Sequence, residues 1–377
     1  MLTRRDLRIK AFQAVFALKQ RVKSNQQLAL DYIEDYFAPN LNSSEKQDVQ
    51  LLKKKREVAK NLFLESRHNP DLLRQETDEA ILSAIDLAKN LVREKNELDR
   101  SEVIKLALKD LNKLEEAYVS SLQFILEIAN VTAKKDGDWI ANRLSENHYI
   151  KLLDQSKDLL AQVGKYAVNW DDEEQLPRQV YLDKLFHLEV IEEMNKSVKT
   201  DQDFDFKVIK KILKKGLYGV KAVQQVFDES DSYWKENQNI VEKNIVRTFK
   251  QAGESIKLFL LEGDHWESDR SFFKQLVEAG TEFDSDVEQA YLTNLKNWER
   301  EKLTDTDDVI ILLALNEMNE FPSIPLKVTI NEYIEITKLY STPKSQGFVN
   351  GIVDSISTIM KDQGMIKKSG RGLLDNQ

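Results

Sequence analysis

The chain contains no cysteine. That excludes disulfides, thiolate metal sites and thiol nucleophiles together. Glycine and proline are sparse, 12 and six in 377 residues, which disfavours turn-rich β folds and favours long helices. No apolar run approaches the roughly 18 residues of a membrane span. The start, Met1-Leu2-Thr3-Arg4-Arg5-Asp6, lacks the apolar stretch of a secretory signal, so a cytoplasmic protein without membrane contact is expected. There is no Gly-rich phosphate loop, nucleophile elbow or His-Glu-x-x-His helix, so neither an enzyme nor a bound cofactor is expected. Histidine is scarce too, with four residues at 68, 148, 187 and 265. Glu65 to His68 and Glu262 to His265 repeat the Glu-x-x-His step of di-metal bundles. The first abuts Asn69-Pro70 and the second contains Gly263-Asp264, both helix terminators, so the steps read as coincidence and no metal is expected.

What is present is charge and helical period. Acidic residues outnumber basic ones, 64 to 55, for a net charge of −9. The first 24 residues run the other way: Arg4, Arg5, Arg8, Lys10, Lys19, Arg21 and Lys23 stand against Asp6 alone. An acidic total argues against general nucleic-acid coating but not against one basic patch. The run Lys53-Lys54-Lys55-Arg56 reads as a solvated helix face. The tryptophans are scattered, and Trp298, seven after Tyr291, reads as core.

Leu7, Ala11, Phe12, Val15, Phe16 and Leu18 recur at helical steps from Thr3 to about Lys23, with Arg4, Arg5 and Arg8 largely off that stripe. A second short helix is expected to end near Pro39. Ser44 with Gln47 and Asp99 with Glu102 read as further caps, the latter opening a helix striped by Ile104, Leu108, Leu111, Tyr118, Leu122, Ile125 and Ala129. Loop signals fall at 134–137, 171–177, 201–205 and 262–264. Half of the prolines, Pro322, Pro325 and Pro343, punctuate three helices near 306–320, 330–340 and 347–361. Thr329 with Glu332 reads as a capping box with Val328 and Tyr333 as its staple, and Ser345 as the cap of the last helix. Asn350 lies off the apolar stripe of that helix, where a polar group can meet phosphate or a base edge. No β alternation of note and no fixed-period repeat occurs, so the chain reads all-α.

The segment Thr-Ile-Asn-Glu-Tyr-Ile-Glu-Ile-Thr-Lys at 329–338, followed by Phe-Val-Asn-Gly-Ile-Val-Asp at 348–354, resembles the carboxy-terminal signature of NusB, the bacterial transcription antitermination family. Ile311 to Met318 with Ile324-Pro325 is similar to the helix and proline turn that precede it. Arg4-Arg5-x-x-Arg8 with Gln13 and Phe16 resembles the family's arginine-rich first helix. The resemblance implies an all-α, NusB-like helical bundle formed by the two chain ends, 1–38 and 286–362. A large helical insertion would occupy 39–285 and a flexible basic tail 363–377. It further implies binding to boxA-type single-stranded RNA of ribosomal RNA transcripts, together with the ribosomal protein NusE, in an RNA polymerase antitermination complex. By the same resemblance Arg4, Arg5, Arg8, Phe16, Lys338, Lys344, Ser345, Phe348 and Asn350 would contact RNA, and Asp307 would contact NusE. Ribosomal RNA cytosine methyltransferases headed by the same helical domain need a cysteine nucleophile, and there is none. A helical interaction scaffold with a weakened RNA face is the alternative reading.

Overall fold

A computed structural model describes residues 2–42, 47–66, 69–131, 133–135, 138–140, 142–170, 176–197, 200–262, 264–281, 285–295 and 303–376. In chain order its helices are α1 (Arg4–Tyr36), α2 (Val49–Glu65), α3 (Glu79–Ala129), α4 (His148–Asp154), α5 (Lys157–Tyr166), α6 (Leu176–Val180), α7 (Glu189–Lys196), α8 (Gln202–Lys211), α9 (Lys221–Ser230), α10 (Trp234–Lys250), α11 (Asp264–Thr281), α12 (Ser285–Leu295), α13 (Asp305–Glu320), α14 (Leu326–Tyr340) and α15 (Pro343–Asp362). The fold is all-α. One short exception is an antiparallel hairpin pairing β1 (Ala133–Lys135) with β2 (Asp138–Ile140) around the expected loop. The chain divides into two compact units, one of Arg4–Ala107 with Asp269–Gln377 and one holding Leu108–Ser268.

The unit built from the chain ends is set by α1. The helix is 33 residues long, so the expected break after Lys23 is absent. No glycine or proline lies between Arg4 and Tyr36 to stop it. Its first half buries Leu7, Ala11, Phe12, Val15 and Leu18 against the apolar run of α13, Val309 to Leu315, which is buried on all sides. α11 crosses these helices closely. A Cβ on Gly280 would lie 2.4 Å from Val15 and 2.8 Å from Leu313, so only glycine fits that crossing. Ala29 and Ile33 of the second half of α1, with Phe37 just after it, form a separate small core with Ala59 and Phe63 of α2 and Ile81, Ala84, Ile85 and Ala88 of α3.

Three expected helix starts move. Asp99 lies inside α3, which is capped by Asp78 through the backbone N–H of Ala80 at 3.0 Å. α14 begins after Pro325, so Thr329 and Glu332 are interior to the helix and form no capping box. Thr342 rather than Ser345 caps α15, accepting from the Ser345 N–H at 3.3 Å with Pro343 in the first turn. Ser44, His68 and Trp298 lie outside the described residues.

Residues 364–372, expected within a flexible tail, fold back on the turn between α13 and α14. The Lys368 ammonium donates to the carbonyls of Met318 at 2.8 Å and Phe321 at 3.1 Å. The Ser369 N–H donates to the Pro322 carbonyl at 3.0 Å. A lysine that satisfies the last carbonyls of a helix also complements its dipole.

The middle unit buries its own core. Trp234 stacks on Phe227 with centroids 4.4 Å apart, and Trp170 packs on Phe124 at 4.5 Å. Within this unit α8 runs into a π-helical turn, Ile212–Leu217, before α9. Its buried face carries Val208, Ile209, Ile212, Leu213 and Leu217.

Candidate nucleic-acid interface

The first helix and the last three converge. The ring of Phe12 packs 5.0 Å from that of Tyr340 and 5.9 Å from that of Phe16. The Gln13 side-chain amide donates to the Tyr340 hydroxyl at 3.0 Å. Phe16 is half-buried, Phe348 is half-buried, and Lys344 and Asn350 are exposed at the start of α15. Phe16, Tyr340 and the α14–α15 turn thus gather around the first half of α1.

Two buried carboxylates on α13 hold this arrangement. Asp307 is fully buried. It accepts hydrogen bonds from the hydroxyls of Thr304 at 2.8 Å, Ser341 at 2.6 Å and Ser345 at 3.2 Å. The start of α13, the end of α14 and the start of α15 are therefore tied to one side chain. A carboxylate so enclosed has no surface to offer a partner protein, so Asp307 is not a NusE contact. Its short side chain is satisfied from within, as burial of a charge demands.

Glu317 is the second. The Arg8 guanidinium donates to its two oxygens at 2.7 and 2.8 Å, and the Thr329 hydroxyl donates at 2.8 Å. Arg8 is 3% exposed and Glu317 0%. Burial opposes the charge of Arg8, but the hydrogen bonds and charge of Glu317 outweigh it and raise its pKa above the ordinary arginine value. Arg8 is therefore a structural arginine, buried on Glu317 and not displayed for the expected RNA contact. The spacing agrees: Arg8 stands three, four and seven residues before Ala11, Phe12 and Val15, on the buried stripe itself.

The remaining cations of α1 are partnered as well. Arg4 pairs with Asp269 at 2.8 Å and lies 4.2 Å over the ring of Phe272. Arg5 forms a fork with Glu332 at 2.7 and 3.0 Å. Lys19 pairs with Asp308, Lys23 with Asp305, and Arg21 with Asp99 at 3.5 Å. Lys10 is buried and donates to Gln13. Arg4 and Arg5 keep 42% and 45% of their side chains in water, so both can exchange a carboxylate for a phosphate. Lys338 pairs with Glu335 one helical turn away at 2.6 Å, whereas the exposed Lys344 forms no ion pair among the described residues. Among the described residues no group of His, Asp and Glu could hold a metal ion.

The NusB family model matches residues 210–358. Over 117 residues the chain is 35% identical to the transcription antitermination protein NusB of Geobacter sulfurreducens, covering 30% of this chain and 85% of that protein. The chain belongs to the NusB family. It is also 37% identical over 102 residues to the NusB protein of Salinibacter ruber, covering 27% of this chain and 61% of that one. The NusB protein of Chloroherpeton thalassium is 37% identical over 106 residues, which covers 28% of this chain and 50% of that one. The chain thus spans less than two thirds of the length of those last two relatives. No solved structure matches it.

One cationic surface of this NusB-family chain escapes the terminal signature. From Lys207 to Phe227 there are six lysines, at 207, 210, 211, 214, 215 and 221, and no acidic residue. All six are exposed. The signal was legible as an acid-free stretch in an acidic chain, but it lies outside the motif at the chain ends.

Proposed function

We propose that this NusB-family chain acts in transcription antitermination in the cytoplasm. It would bind a boxA-type single-stranded element of ribosomal RNA transcripts together with NusE, within the RNA polymerase antitermination complex. The observation that carries the reading is the joining of α1 to α14 through Phe12–Tyr340 and to α13 through Arg8–Glu317, with Asp307 tying α13, α14 and α15 together.

Bases would stack on Phe16 and Phe348, at about 1–3 kcal/mol each. Asn350 would read an exposed base edge. Lys344 and Lys338 would meet phosphates, and Arg4 and Arg5 would join them by releasing Asp269 and Glu332. Ser345 sets the turn through Asp307 and offers its remaining lone pairs. The chemistry is recognition without bond making, so no catalytic residue is assigned.

A second reading, a helical scaffold with a weakened RNA face, is favoured by one observation. Six of the seven cations of α1 already hold carboxylates. Titrating the full chain with a boxA-type RNA and a scrambled RNA, each with and without NusE, separates the two. Selective binding that NusE strengthens is the expected result. Equal, weak binding of both RNAs in every mixture would favour the scaffold.

A further inference from the structure

We propose that the lysine face of α8, its π turn and the start of α9 is a sequence-blind binding site for the phosphate backbone of single-stranded RNA. The choice of polyanion rests on the reading of the chain as an RNA-binding factor. The site itself stands on separate residues, in the unit formed by the middle of the chain.

Lys207, Lys210, Lys211, Lys214 and Lys215 follow one another at helical steps, so their ammonium groups share one face. At about 1.5 Å of rise per residue they extend over roughly 12 Å. The opposite face is buried through Val208, Ile209, Ile212, Leu213 and Leu217. Gly216 seats the π turn against Leu185, whose side chain would lie 3.2 Å from a Cβ there. The lysines are thus displayed from an anchored element. Lys221 adds a sixth charge in the first turn of α9. Lys210 lies 4.5 Å over the ring of Phe206, and none of the six forms an ion pair among the described residues.

The chemistry of this face selects its partner. A lipid surface would require an apolar face to enter the bilayer, and here that face is committed to the core. A protein partner would require aromatic or aliphatic anchors, because interface centres are depleted in lysine. No large hydrophobic side chain is exposed between Lys207 and Lys221. A row of mobile ammonium groups with no apolar anchor fits a flexible chain of phosphates, bound by counterion release. The net charge of −9 disfavours polyanions elsewhere and concentrates them on such a stripe.

The test compares the full chain with its K210Q/K211Q/K214Q/K215Q variant, titrated with a boxA-type RNA and a scrambled RNA of equal length over a range of salt. Both RNAs should lose affinity equally, by about a hundredfold at about 0.1 M salt, and the slope of log affinity against log salt should flatten by about 2. K210R/K211R/K214R/K215R should retain both, and thermal unfolding should be unchanged in either variant. An unaltered slope overturns the proposal, and so does loss confined to one RNA. If selectivity for the boxA-type RNA survives while the slope is unaltered, the stripe fails and the terminal face stands. If selectivity is absent but the slope flattens, the reverse holds.

Discussion

α1 and the α8–α9 stretch are both cationic in this acidic chain, and they use their charge differently. In α1, Arg4, Arg5, Arg8, Lys19, Arg21 and Lys23 meet Asp269, Glu332, Glu317, Asp308, Asp99 and Asp305. The six lysines from 207 to 221 meet no carboxylate among the described residues. All six partners of α1 lie far away in sequence, on α3, α11, α13 and α14, so the fold neutralises what a local sum of charges leaves positive. A charge count along a sequence therefore measures what a helix can offer only after its long-range neighbours are known.

The largest effect should come from breaking the buried end of this network. Glu317→Ala leaves the Arg8 guanidinium and the Thr329 hydroxyl without their acceptor. Loss of one partner of a buried ion pair costs about 3–5 kcal/mol, read as a fall in the urea midpoint. Replacing both partners with apolar residues, Arg8→Met with Glu317→Leu, should recover most of that. Failure to recover would mean that the pair does more than satisfy itself. Next in size, Gly280→Ala should cost about 1–3 kcal/mol, since Val15 is stiff and cannot withdraw from the new methyl group.

The comparison can also be inverted. Asp305→Asn with Asp308→Asn frees Lys19 and Lys23 at a modest cost in stability. The Lys23–Asp305 pair is largely exposed and worth about 0–1 kcal/mol, while Asp308 is partly buried and also accepts from the Tyr291 hydroxyl, which an asparagine oxygen can still do. RNA affinity should rise, and the salt dependence should steepen by about 0.7 for each cation that then reaches a phosphate. Measured slopes equal to those of the unaltered chain would show that carboxylates are not what withholds α1 from RNA.

Much of this architecture was legible in the sequence, and the failures have physical causes. The apolar stripe of α1 and the last three helices follow from period and proline, because those signals are local. The cap at Asp99 misled because a good capping residue mid-helix looks the same as one at a terminus. Only the absence of glycine and proline from 79 to 129 tells them apart. Thr329 and Glu332 have the spacing of a capping box, but their side chains are drawn to Glu317 and Arg5. Arg8 and Asp307 belong to a motif yet face inward, because a motif records which residues matter without saying in which direction they point.

The smallest effect concerns acid. The Asp305 carboxyl is held below its usual range chiefly by the hydrogen bond from Lys23, with Gln20 and Lys19 adding to it and partial burial opposing it. A carboxyl whose pKa is lower in the folded than in the unfolded chain stabilises fully above the unfolded value, and that contribution is lost as pH falls through the folded one. The stability difference between the native chain and Asp305→Asn should therefore be constant near neutrality and shrink toward zero as pH drops from about 5 to about 3. Its size should stay within about 1 kcal/mol, since solvent screens a pair this exposed. Across the same window the stability difference for the four-lysine glutamine variant should stay flat, because those lysines have no paired carboxylate to protonate. A matching acid transition in that variant would reveal a carboxylate partner and erase the contrast between the two helices.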